Sequence, residues 1–346
     1  MIQKNENSNV LEGYFSRKRK GIIISILLVI IIIALAVTMM LVGNTFYSPG
    51  TVVKILMGQE LEGAFAIHTI RLPRMFGAIL AGGAFGVSGY IFQTLLRNSL
   101  ASPDIIGVSA GSTTFAVFAI LVLGLQGTAV SMISVIAGIL IALGIYLLSR
   151  KNGHFSNGRM ILVGIGVQAF TKAITNYILT RAAEFDVQST MRWMSGSLNN
   201  VRMSDVKVLA VVVILAGFIL WCFSSHLQIL QLGEEYPVTL GVNVKLINII
   251  LILGGVILVA FSTSVTGPIA SVAFLSAPIA TRIIGKDRCG LIPSALVGII
   301  LVQASDLIGQ NLLPARYPVG VVTGLLGAPY LIYLLICMNK KGESVS

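Results

Sequence analysis

Charge is what this sequence has least of. Only 11% of its 346 residues are Asp, Glu, Lys or Arg, where a soluble domain carries about 25%. A chain this poor in charge cannot cover a water-facing surface of its own size. Cysteine is almost as scarce. Cys222, Cys289 and Cys337 are scattered in or beside apolar runs, which excludes a disulfide framework and any zinc-binding spacing. His68, His154 and His226 are equally isolated. No paired carboxylates, no Ser-His-Asp set and no metal cluster can be assembled, so nothing points to catalysis by this chain or to a resident cofactor. A phosphate loop is also missing. Gly285-Lys286 is followed by Asp287 and lacks the upstream glycine that such a loop needs. If the protein pumps anything, a different chain must bind the nucleotide.

What is present is apolar length. Hydrophobic residues make up 55% of the chain, and the mean hydropathy is +0.91. Runs long enough to cross a bilayer lie near 21–42, 74–93, 105–124, 128–149, 159–180, 205–224, 244–265, 268–285, 293–312 and 319–338. The eighth is short and broken by Pro268 and Pro278. The chain has 36 glycines, and small residues let helix backbones approach closely in lipid. Gly82-xxx-Gly86 has the spacing of one such contact, or is simple glycine richness. The fold expected is an all-α polytopic membrane protein with ten transmembrane helices. Residues 1–20 form an N-terminal tail, 21–338 the membrane domain, 225–243 a connecting segment within it, and 339–346 a C-terminal tail. The first run is too long for a signal-peptide core and lacks a cleavage site.

Lys and Arg in the loops set orientation. With both termini in the cytoplasm, fifteen of the 24 cations fall inside, including Arg17-Lys18-Arg19-Lys20, and eight fall outside. The net charge of +11 is therefore mostly a topology signal. Spread over loops, it does not describe a nucleic-acid surface.

Several polar residues stand out against this background. Arg71 and Arg74 flank Pro73 at the head of the second run. There they sit on the outer side, which is poor in positive charge, and at a helix start whose dipole prefers anions. They are either a docking point for an acidic partner, through charge-assisted guanidinium pairing, or interfacial anchors that snorkel. The inner segment 225–243 holds two apolar-periodic pieces split at Gly233-Glu234-Glu235. It is either a helical knob for a soluble partner or an ordinary loop. Lys172 lies deep in the fifth run, and Gln168, Thr171, Lys172 and Thr175 follow i, i+3, i+4, i+7 spacing. Such a stripe faces a water-filled pathway, or the lysine snorkels outward. Gln303, Asp306 and Gln310 form a second stripe, which either lines a pathway or joins helices by hydrogen bonds.

The order of these motifs resembles the FecCD-type permease subunits of ABC importers for ferric siderophores, haem and vitamin B12. The resemblance covers almost everything after residue 45. Arg71-Leu72-Pro73-Arg74 matches, as does SGYIFQTLLRNSLASPDIIGVSAG at 88–111, with Ser99 where the family has proline. RWMSGSLN at 192–199, LGEEYPVTLGV at 232–242, TGPIASVAFLSAPIATRIIGKDR at 266–288 and YPVGVVTGLLGAPYLIYLL at 317–335 follow in order. The resemblance implies the vitamin B12/iron-chelate (type II) importer permease fold in a bacterial cell membrane. The implied assembly has a second permease as homo- or heterodimer, two ATPase subunits, an extracytoplasmic binding protein and, as first cargo, a ferric siderophore. It implies docking of the binding protein at Arg71 and Arg74, and ATPase coupling through Leu230, Leu232, Gly233, Glu234, Pro237, Leu240 and Gly241. Pathway-lining candidates are Gln168, Thr171, Lys172, Thr175 and Asp306. Three departures stand out: Ile279 replaces a histidine, Arg316 replaces a glutamate, and Gln310 replaces an arginine found in some members. Arg316 is expected to supply the third docking charge. An ion-gradient-driven carrier is the rival reading, and it would need embedded acidic residues beyond Asp306.

Overall fold

The computed structural model describes residues 2–151, 154–155, 157–230, 235–285 and 290–340. The chain is helical almost throughout. In order, the elements are α1 (Ile2–Leu41), α2 (Pro49–Leu56), a π-helical turn (Ala66–Arg71), α3 (Leu72–Leu95), a 3-10 turn (Pro103–Ile106), α4 (Val108–Leu121) and α5 (Thr128–Leu148). A two-stranded antiparallel ladder follows, β1 (Arg150–Lys151) with β2 (His154–Phe155). Then come α6 (Asn157–Arg181), α7 (Glu184–Met194), α8 (Met203–Cys222), α9 (Ser224–Leu230), α10 (Glu235–Thr239), α11 (Val244–Thr266), α12 (Val272–Ile284), α13 (Leu291–Asn311) and α14 (Val319–Lys340).

Among the described residues, eight helices are long and apolar enough to span a bilayer, and α4 and α12 are shorter apolar helices. The expected ten apolar segments are thus present, but two of them are truncated. The third, expected over 105–124, starts only at Val108, because Pro103 opens a 3-10 turn and Gly107 takes a left-handed conformation (φ +75°) before the α-helix begins. The eighth starts at Val272, after the Gly267-Pro268 turn. The first helix is longer than its apolar run and extends back to Ile2.

α3 is the mast of the bundle. It packs against α13, α11, α12 and α8. Of its best membrane window 72% is buried, against 17% for α1, which lies at the periphery. Glycine explains how α3 gets so close to its neighbours. A Cβ on Gly82 would stand 2.7 Å from the Gly298 carbonyl oxygen, one on Gly86 would collide with the Ser294 carbonyl, and one on Gly89 with that of Ala273. The Gly82-xxx-Gly86 spacing is therefore a true backbone contact, made with α13. Apolar side chains fill the rest, with Phe85, Phe92, Leu209, Val256, Val259 and Val302 in the main core.

Backbone hydrogen bonds knit the loops at the Arg74 end of the mast. Ser197 N–H donates to the Thr266 carbonyl (2.7 Å), and Gly320 N–H donates to the Gly196 carbonyl (3.1 Å). Gly196 has φ +70°, and a side chain there would run into the Pro268 carbonyl. The 192–199 motif thus ties the α11–α12 turn to the start of α14.

Candidate functional site: an arginine-lined pocket at one end of the mast

The helix that carries Arg71 and Arg74 does not begin where the sequence suggests. Pro73 does lie in the first turn of α3, but a π-helical turn feeds directly into it, closed by Leu72 N–H donating to the Ile67 carbonyl. Proline crowds the carbonyl four residues before it, and a wider turn relieves that crowding. The continuous helix therefore starts at Ala66. Arg71 and Arg74 lie one to two turns inside it rather than at a free N-terminus, which corrects the helix-dipole argument made from sequence.

Both arginines are engaged within the chain. Arg71 is buried (8% exposed). Its guanidinium donates to the carbonyls of Met40 (2.7 Å) and Thr45 (2.5 Å) and stacks 4.7 Å from the Tyr47 ring centroid. Gly43 leaves room for it, since a Cβ there would come within 2.6 Å of Nη2. Arg71 thus clamps the end of α1 and the following connector onto α3. Arg74 makes a two-pronged ion pair with Asp306, Nε to Oδ2 and Nη2 to Oδ1, both 2.6 Å. The Asp306 side chain is only 3% exposed and that of Arg74 15%. Asp306 is therefore an interhelical tie between α13 and α3. Arg316 differs from both. It is exposed and donates to Asn44 Oδ1.

The three arginines share one cavity of about 210 Å³. Its walls also carry Asn44, Asp306, Gln310 and Asn311. Three guanidiniums against one carboxylate leave the pocket positive, so it can receive a carboxylate or another small anion through charge-assisted hydrogen bonds. Gln310 reaches back toward the Tyr317 carbonyl (3.5 Å). Gln303, one turn below Asp306, is wholly buried, and neither of its amide atoms has a partner among the described residues. The stripe Gln303, Asp306, Gln310 is thus split three ways.

One element beside the pocket has no counterpart in the sequence reading. α2 starts at Ser48-Pro49, a helix-start signal, and Ser48 Oγ accepts from Thr51 N–H (3.2 Å). His68, read only as an isolated histidine, has Nε2 3.1 Å from the Ile55 carbonyl and so pins α2 to the π turn.

The fifth-run stripe also divides. Thr171 and Thr175 are buried against α4, where Thr175 Oγ1 lies 2.9 Å from Thr114 Oγ1. Gln168 is half-buried and Lys172 is exposed, at the edge of the buried face that Thr171 and Thr175 define. Of the pathway-lining candidates on α6, Thr171 and Thr175 pack against α4 within this chain. Their spacing straddles the edge of the packed face.

At the opposite end of α3, Arg97 adopts φ +50° and its guanidinium donates to the Leu230 carbonyl (3.4 Å), the last residue of α9. Leu230 and Pro237 are buried, Leu240 is exposed, and Gly241 has φ +76°. Leu232, Gly233 and Glu234 lie outside the described residues. One continuous helix thus runs from the arginine pocket to the α9–α10 segment. Its 30 residues span about 45 Å at 1.5 Å per residue.

Residues 26–337 match the FecCD transport family, nearly the whole membrane domain. The chain belongs to the FecCD family. Among FecCD relatives, it is 36% identical over 272 residues to the ferric enterobactin transport system permease protein FepG of Escherichia coli, covering 78% of this chain and 82% of FepG. It is 33% identical to the Fe(3+)-citrate import system permease protein YfmE of Bacillus subtilis, over 94% of this chain and 98% of YfmE. The FecCD fold of this chain is similar to that of a metal-chelate type ABC transporter solved in an inward-facing conformation. The TM-score is 0.78 at 25% identity, covering 91% of this chain and 99% of the other.

Proposed function

We propose that this chain is the permease subunit of an ATP-driven importer, forms half of its translocation pathway, and takes a ferric chelate, first of all a siderophore, as cargo. The observation that carries the reading is the continuous FecCD match over residues 26–337. Relatives named for ferric enterobactin and Fe(3+)-citrate support an iron chelate, and one named for cobalamin, at 32% identity, keeps that cargo as the alternative. The Lys and Arg distribution supports an orientation with the arginine pocket outside and both termini in the cytoplasm.

In this reading a loaded binding protein presents an acidic side chain to the pocket. Arg316 meets it first, because it is exposed, while Arg71 and Arg74 hold the pocket wall and its positive potential. Two ATPase subunits close beneath the 225–243 segment, and α3 carries the motion between pocket and segment. Alternating access requires a bundle with two arrangements that both partners bias. A second permease, identical or not, completes the pathway, and the exposed Lys172 face of α6 borders it. Lysine in the interior of a span calls for water or protein rather than lipid.

Uptake of a ferric siderophore into proteoliposomes tests the proposal. Transport is expected only with binding protein, ATPase subunits and hydrolysable ATP together. Accumulation driven by a proton gradient without ATP would establish the carrier reading instead. Asp306, the embedded carboxylate that such a carrier would need, is already neutralised by Arg74.

A further inference from the structure

We propose that the groove where α1 leaves α12 and α13, at the Arg97 end of the bundle, is a binding site for one anionic phospholipid of the surrounding bilayer. The groove encloses about 550 Å³, within the ~300–1,000 Å³ usual for ligand pockets. It is lined by Gly21, Ile22, Ser25, Ile26, Val29 and Ile30 of α1, and by Ile284, Ile292, Pro293 and Leu296 across from them. The lining is apolar except for Ser25, whose hydroxyl is satisfied by the Gly21 carbonyl (3.0 Å). With no polar group left to hydrogen-bond, the cavity suits an acyl chain and not a water-soluble ligand.

Its mouth is basic. Arg19 and Lys20 stand exposed on α1 immediately before Gly21, and Arg17 and Lys18 precede them in sequence. A cluster of four cations next to a span attracts anionic headgroups. A topology signal alone needs only the charge. Here the basic run directly precedes, on the same helix, the residues that line an apolar slot, which is the two-part chemistry of a phospholipid: a phosphate at the cations and a chain in the groove. α1 is the least buried of the spans, so packing against the rest of the bundle does not close the slot. The exposed isoleucines Ile22, Ile26 and Ile292 then meet a chain held in place.

The test uses the full-length chain purified in mild detergent and exchanged against phosphatidylglycerol or phosphatidylcholine of equal chain length. Native mass spectrometry counts retained lipid, and melting temperature gives a second readout. Wild type is expected to keep one phosphatidylglycerol and to melt higher with it than with phosphatidylcholine. Arg19→Gln with Lys20→Gln should cut phosphatidylglycerol retention about tenfold while sparing the weak phosphatidylcholine retention. Ile26→Trp should block retention of both lipids, and Ile22→Trp serves if that variant does not fold. Equal retention of the two lipids by wild type, or variants that retain phosphatidylglycerol as wild type does, would overturn the site. So would a cross-link from Ile26→Cys to another protein chain in native membranes, since the groove would then be a protein interface.

Discussion

At the residue scale, the arginines that look alike in sequence have different surroundings. Arg74 and Asp306 neutralise each other inside the bundle, and breaking a buried pair by removing one partner costs about 3–5 kcal/mol. Arg74→Ala and Asp306→Asn should therefore both lower the melting temperature in detergent sharply. Arg316→Ala, at an exposed position, should stay within about 0.5 kcal/mol of wild type while weakening binding-protein affinity. Equal destabilisation by all three would contradict the pocket described above. Asp104 offers a pH test. It sits in the 3-10 turn before α4, where burial pushes its carboxyl above the usual range and the Ser109 hydroxyl pulls part of the way back. A carboxyl whose folded-state pKa is raised favours folding when protonated, so its cost is present at neutral pH and is relieved as pH falls through the raised value. Asp104→Asn should thus raise the melting temperature where the carboxyl is ionised, and the gain should shrink as acidification protonates it. A constant gain would mean that the carboxyl charge is not the cause.

At the element scale, the seam between α3 and α13 sets how the bundle packs. Gly86 sits where any Cβ meets the Ser294 carbonyl, whereas Gly324 on α14 has nothing within 4 Å of its Cβ position. Gly86→Ala should therefore destabilise by about 1–3 kcal/mol through overpacking, and Gly86→Leu should abolish folded expression. Gly324→Ala should be neutral or slightly stabilising, because it removes chain entropy from the unfolded state. Size-exclusion profiles and melting curves of the three variants separate a seam from mere glycine richness. The Gly82-xxx-Gly86 spacing was legible in the sequence, but its partner helix was not, because Gly298 lies more than 200 residues away and carries no matching local signal. The truncation of α4 was half legible: Pro103 and Gly107 were in view, yet the apolar run continues through them.

At the scale of the whole molecule, the proposed cycle depends on surfaces that a single chain leaves open. Lys172 is exposed on α6, about 14 Å from Arg181 at 1.5 Å per residue. Lys172→Met should lower ATP-dependent uptake of an anionic ferric chelate severalfold while the purified assembly keeps its subunit ratio. Unchanged uptake would reduce the residue to a snorkelling anchor. Charge reversal at Arg316→Glu should weaken binding-protein docking, with partial rescue by Glu→Arg on the partner, and Arg71→Glu should instead impair folding.

The sequence by itself determined the class of molecule. Scarce charge, ten apolar runs and the order of the signature motifs dictate a polytopic membrane protein of one transport family, because hydropathy and backbone satisfaction in lipid act locally along the chain. Which cations are free, which helix closes on which, and where the membrane-facing slot opens were decided only by the tertiary structure. An ion pair between Arg74 and Asp306 joins residues 232 positions apart, and no periodicity or spacing encodes the distance at which their charges meet.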